Sequence, residues 1–141
     1  MNFKLIDHIT HDAKQNVDLY ELNFVDDMDG GLLVIHDKNK NTLTDNAYFT
    51  YVLYTHGILP DKISPHIDKL NNLIRRFKCE FIKTEDDSYE LIKHLSSTYI
   101  VYKNKSKDIT DSANFEFAQF VQAYLTCYTY LDILIQKEDL S

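Results

Sequence analysis

The stretch from about Ser112 to Gln136 constrains the fold most strongly. Phe117, Val121, Tyr124, Tyr128, Leu131 and Ile135 recur at intervals of 4, 3, 4, 3 and 4 residues, the period of one helical stripe. Phe120, Leu125, Cys127 and Leu134 lie beside that stripe, so the helix is apolar over more than one face. Such a helix has to be covered, at the centre of its own domain or by a partner chain, because soluble monomers seldom expose large apolar patches. Both outcomes stay open, and Phe117, Phe120, Tyr124 and Tyr128 are the side chains that a pairing helix would meet.

The remaining segments predict an α+β chain. Phe3, Ile6, Ile9 and Ala13 stand three or four apart and predict an N-terminal helix over 3–14. Val17 to Val25 alternates, Leu32 to His36 is β-rich, and Asn41 to Leu43 is short and polar-flanked; together they predict a three-stranded antiparallel meander. Asp26 to Gly31 and Asp37 to Asn41 are its turns. Asp45 then reads as an N-cap, with Gly57 closing the helix as a C′ residue. Ser64 as cap and Pro65 at the first position predict a second helix, whose stripe is Ile63, Ile67, Leu70, Ile74 and Phe77. Cys79 to Thr84 reads as a strand and Glu85 to Ser88 as a turn. Tyr89 to Leu95 fits either a strand or a short helix, and Tyr99 to Tyr102 a strand before a polar loop. With 141 residues, the chain 1–141 is expected to form one domain with a core of its own.

Composition narrows the function classes. The 22 acidic and 15 basic residues give a charge of −7, which argues against a protein whose main task is to coat nucleic acid. The charge is segregated: −6 over residues 1–61, +4 over 62–83 and −5 over 84–141. Cys79 and Cys127 form no C-x-x-C pair, so buried free thiols in a reducing compartment are expected. Asp7 and His8 interrupt the apolar start, and no run reaches the roughly 20 residues of a membrane span. A soluble protein of the bacterial cytoplasm, with no membrane partner, is the expectation. Abundant Lys, Asn, Ile and Tyr fit an AT-rich bacterial or phage genome.

No constellation of side chains assembles into a recognisable catalytic centre. His8 and His11, flanked by Asp7 and Asp12, are three apart on the predicted helix, but a catalytic zinc needs a third ligand and usually a general base. Asp37-x-Asn39-x-Asn41 opens like a calcium loop. It then has Thr42 where glycine is needed and Tyr48 where a glutamate is needed, so a turn is the better reading. Asp26, Asp27 and Asp29 could share a cation with Asp45, but they lack the Lys partner of phosphodiester-cutting sites and read as a solvated turn. Arg75-Arg76 with Lys69, Lys78 and Lys83 is the one basic cluster; solvation of an outer helix face accounts for it more simply than nucleic-acid binding. No catalytic residue, metal site or cofactor is assigned.

Asn41-Thr42-Leu43-Thr44-Asp45-Asn46-Ala47-Tyr48, with Gly57-Ile58 beyond it, resembles the hallmark of an uncharacterised domain family widespread in bacteria, plasmids and prophages. That hallmark is a meander ending in Leu-Thr-Asp-Asp-Gly-Tyr, then a helix closed by Gly-Ile or Gly-Val. Here Asn46-Ala47 stands where the family has Asp-Gly. The family brings no established activity, so the resemblance implies a fold and a mobile-element setting.

Together these features predict a non-enzymatic protein-interaction module, a phage or mobile-element antagonist of a host defence nuclease in the manner of an anti-CRISPR protein. The acidic turns Asp26, Asp27, Asp29 and Glu85, Asp86, Asp87 would occupy the basic nucleic-acid channel of that host protein, anchored by surface tyrosines, without touching nucleic acid directly. Two other readings stay open: a homodimeric regulatory or chaperone-like module pairing through the C-terminal helix, and a small metal-dependent enzyme.

Overall fold

The computed structural model describes residues 3–12, 14, 16–24, 31–96 and 112–137. Its elements are β1 (Phe3–Asp12), β2 (Val17–Phe24), β3 (Gly31–Asp37), β4 (Thr42–Thr44), α1 (Tyr48–Thr55), α2 (Pro60–Ile74), a 3-10 turn (Arg75–Phe77), β5 (Glu80–Lys83), β6 (Tyr89–His94) and α3 (Ser112–Lys137). The strands form one antiparallel six-stranded sheet in the order β1-β2-β3-β4-β6-β5. Of the expected turn at Asp26 to Gly31, Gly31 begins β3 and the rest lies outside the described residues, as do the strand at Tyr99 to Tyr102 and the loop after it.

The predicted N-terminal helix is a strand. Phe3, Lys4 and Leu5 pair with Phe24, Asn23 and Leu22, and Ile9 to Asp12 pair with Tyr20 to Val17. Between Leu5 and Ile9 the strand advances four residues while β2 advances two. That irregularity breaks the two-residue period and leaves Ile6 and Ile9 at a spacing that imitates a helix. The meander therefore has four consecutive strands instead of three, and β6 pairs along the far side of β4. Tyr89 to His94 is a strand because it has partners on both sides, Thr42–Thr44 in β4 and Glu80–Lys83 in β5. The second helix starts at Pro60, earlier than the Ser64–Pro65 signal suggests. Pro60 takes the first position, where no N–H is needed, and Pro65 lies inside the helix.

One face of the sheet carries the core. Val34 and His36 are buried while Leu33 and Ile35 are half-buried, and Leu91 and Lys93 are buried while Glu90 and Ile92 are half-buried, the alternation of strands covered on one side. The helices supply the cover. Ile63, Ile67, Leu70 and Ile74 of α2 are buried in one row, each contributing roughly 1.5–3 kcal/mol. Phe117, Phe120, Val121, Tyr124, Cys127, Tyr128 and Leu131 bring α3 into the same cluster. Ring contacts stitch the layers: Tyr20 meets Phe117 edge-on at 5.3 Å, and Phe49 of α1 lies 5.1 Å from Tyr128 and 6.0 Å from Phe81. At the β5 edge, the Phe81 N–H donates to Asn71 Oδ1 at 2.8 Å, so that amide is not left open for another strand.

Candidate functional site

Asp45 organises the passage from sheet to helix. Its carboxylate is buried and accepts from the Ala47 and Leu91 N–H groups, both at 2.9 Å, and from the Phe49 N–H at 3.0 Å. Two of these are N-terminal amides of the α1 region, so Asp45 does cap the helix, from two residues before the formal cap position at Ala47. The third ties β6 to the same carboxylate. Asn46 and Ala47 both take positive φ, 54° and 63°, the left-handed turn that lets the chain double back. Burial pushes the Asp45 carboxyl up to about 6 against the pull of its three amide donors, with the Glu90 charge raising it further.

That turn also sets the outward face of α1. Tyr48, Tyr51 and Tyr54 recur every third residue on the side away from Phe49 and Leu53. Tyr48 is 42% and Tyr51 60% exposed, with ring centroids 6.1 Å apart. Tyr54 reaches sideways, donating its hydroxyl to the Asp87 carbonyl at 3.3 Å. The tip of the β5–β6 hairpin is thus attached to the tyrosine ridge. Within the tip, Thr84 N–H donates to the Ser88 carbonyl at 2.8 Å and the Thr84 hydroxyl to the Asp86 carboxylate. That hydroxyl bond holds the Asp86 carboxyl below its ordinary range. Glu85, Asp86 and Asp87 are all exposed, and among the described residues only Asp87 is ion-paired, with Lys83 at 3.4 Å.

A second polar feature crosses the buried face. Cross-strand pairing places Asp18, His36, Leu43 and Lys93 in one row, all buried. Lys38 pairs with Asp18 at 3.0 Å. Neither ring nitrogen of His36 has a partner among the described residues. Burial lowers its pKa, opposed by the Asp18 charge. Lys93 donates to the Phe77 carbonyl at 3.0 Å, and its pKa is likewise lowered by burial. Glu116 of α3 accepts from the Ser96 N–H at 3.0 Å and from the Ser96 hydroxyl at 2.6 Å.

From Lys93 the polar row opens into a trough at the surface. A hollow of about 500 Å³ beside the 3-10 turn is lined by Asn71, Arg75, Lys78, Glu80 and His94, among others. It shares Lys78 and His94 with a second of about 270 Å³, walled also by Lys93, Ser96 and Glu116. Phe115 and Gln119 join that one to a third of about 440 Å³, which Arg76, Phe77 and Gln122 complete.

The expected site residues distribute unevenly. Glu85, Asp86 and Asp87 lie at an exposed tip, whereas Asp26, Asp27 and Asp29 lie outside the described residues. Phe117, Phe120, Tyr124 and Tyr128, the side chains offered to a pairing helix, are covered by this chain itself, against the sheet and α1. His8 and His11 belong to β1, so the helical spacing that brought them together does not exist. One Asp37 carboxylate oxygen accepts from the N–H groups of Asn39 and Lys40, and the Asn41 amide donates to the Leu95 carbonyl, closing a turn. Both cysteines are free and buried. Among the described residues no three His, Cys, Asp or Glu side chains stand where they could share a metal ion, and no helix is long and apolar enough to cross a membrane. The sequence reading missed Lys93, Glu116, His36 and Asp18. Burial of these polar residues depends on strand register, which composition does not reveal.

Compared with known protein families, curated proteins and solved structures, the chain matches none.

Proposed function

We propose that the chain is a non-enzymatic protein-interaction module whose working surface is the tyrosine ridge of α1 joined to the acidic β5–β6 tip. The observation that carries this reading is the Tyr54 hydroxyl bond to Asp87, which makes one continuous face of Tyr48, Tyr51, Tyr54, Glu85, Asp86 and Asp87. Half-exposed aromatic rings of low conformational entropy are the usual anchors of protein interfaces, and adjacent carboxylates give charge complementarity. A basic channel meets both needs. With the mobile-element resemblance, this favours a host nucleic-acid-binding nuclease as the partner and antagonism of host defence as the role, in the cytoplasm of the bacterial host.

The test is affinity capture of the tagged chain from lysate of a bacterium carrying defence nucleases, followed by cleavage assays on the nuclease recovered. The expected result is stoichiometric recovery and inhibited cleavage. Glu85→Lys/Asp86→Lys/Asp87→Lys and, separately, Tyr51→Ala should each weaken inhibition about tenfold or more. Undiminished inhibition by both variants, or recovery of the bait alone, overturns the reading.

A further inference from the structure

We infer that the trough running from Arg75 to Phe115 is a binding site for single-stranded nucleic acid, distinct from the acidic face and independent of its role. Four cations, Arg75, Arg76, Lys78 and Lys93, border three neighbouring hollows. Among the described residues none of them has an ion-pair partner. Arg75 bonds to the neutral Asn72 amide at 2.9 Å, and Arg76 lies 4.8 Å from the centroid of the Phe77 ring. Two carboxylates, Glu80 and Glu116, also line the trough, and the Glu116 charge acts on Lys93, so the four cations outnumber the acids there by two. Glu116 is hydrogen-bonded to the Ser96 N–H and hydroxyl, and Glu80 shares its hollow with Arg75 and Lys78.

Lys93 is the second, independent sign of a ligand. It is 2% exposed, lines the middle hollow, and makes one hydrogen bond although an ammonium carries three donors. A buried cation with unused donors costs stability, and an anion seated in the hollow recovers it. Phosphate oxygens suit that position, as they suit the Arg75–Lys78 end.

Beside the cations stands an aromatic shelf. Phe115 is 58% exposed at the junction of two hollows, next to Phe77 and the amide side chains of Gln119 and Gln122. Bases stack on such rings only when unpaired, which selects a single strand over a duplex. Three neighbouring hollows that share wall residues suit a strand of about three nucleotides better than one mononucleotide. Net charge argued against nucleic acid only as an average, and three of the six bases of residues 62–83, Arg75, Arg76 and Lys78, line this trough.

The test is fluorescence anisotropy of the full chain with a labelled oligothymidylate of about ten nucleotides at about 50 mM salt. Saturable binding is expected, with log K falling against log salt at a slope of about −2 for three phosphate contacts. Arg75→Glu/Lys78→Glu should weaken binding at least about tenfold by removing two of those contacts. Phe115→Ala, at an exposed position that spares the fold, should weaken it about five- to a hundredfold through the lost stack. Lys62→Glu, a single charge reversal on α2 away from the trough, should stay within about twofold. The inference fails if the oligonucleotide does not bind, or if Phe115→Ala binds as wild type. It fails equally if a mononucleotide or polyglutamate competes as well as the strand, leaving a nucleotide pocket or an unselective polyanion patch.

Discussion

Asp45 makes stability depend on pH in a direction opposite to that of most carboxylates. Its folded carboxyl titrates at about 6, against an ordinary 3.8. The fold therefore prefers the protonated form, so the contribution of Asp45 is complete below about pH 4 and is lost as pH rises through 6. At 1.36 kcal/mol per unit, the difference between 6 and 3.8 corresponds to about 3 kcal/mol. His36, whose pKa is lowered by burial, works the other way: it contributes stability above 6.5 and loses it as pH falls through its depressed value. The comparison that isolates Asp45 is thus wild type against Asp45→Asn, in which His36 cancels. The asparagine keeps one oxygen for the Ala47 and Leu91 N–H groups but turns an NH2 toward the Phe49 N–H, losing that bond at about 1–3 kcal/mol at every pH. In urea unfolding, the variant should be less stable by that amount near pH 4 and draw level with, or slightly pass, wild type by pH 7. A stability difference that does not change between pH 4 and 7 refutes the burial argument. One that moves against the variant as pH rises shows that the three amide donors outweigh desolvation.

Two further substitutions probe the same region. Ala47 holds φ at 63°, a conformation that costs a Cβ-bearing residue about 1 kcal/mol, so Ala47→Gly should raise the melting temperature by a few degrees; a fall would mean that Ala47 makes contacts outweighing its strain. Phe49 is wholly buried between Phe81 and Tyr128, so Phe49→Ala should cost about 3–5 kcal/mol in chemical denaturation, and a loss under 1 kcal/mol would show that the neighbouring layers collapse onto the gap.

Where one face of an element repeats without interruption, the chain is legible. The α3 stripe and the Ile63–Ile74 row of α2 are buried as their spacing predicts, although Ile135 at the end of the α3 stripe is exposed and Phe77, expected to end the α2 stripe, is half-buried in the 3-10 turn. Gly57, at φ 92°, closes α1 as its position after the helix predicts. Legibility fails where partners are distant. Phe3 to Asp12 carries a helical spacing because a pairing irregularity displaces Ile6 and Ile9, and only β2 reveals it. Tyr89 to His94 mixes Glu and Lys with apolar residues and becomes a strand through neighbours far away in sequence. The same distance hides the surfaces. Glu85 to Asp87 is visibly an acidic turn, but nothing local announces that Tyr54 abuts it. Likewise Arg75-Arg76 is visibly basic, but its junction with Lys93 and Phe115 exists only once β6 and α3 lie beside it.

The three residues of β4 are the seam of the sheet. On one side the strands β1 to β4 succeed one another through short connections and form from local encounters. On the other, Thr42 pairs with His94, 52 residues on, so this half of the sheet must close a long loop that encloses α1, α2 and the β5–β6 hairpin. Asp45, at the end of β4, holds the Leu91 amide, so its carboxylate is sealed from water as the seam closes. The acidic tip and the basic trough both hang from β6. Neither takes shape on a nascent chain until residues beyond His94 have emerged, and any interaction made by either surface begins with a completed fold.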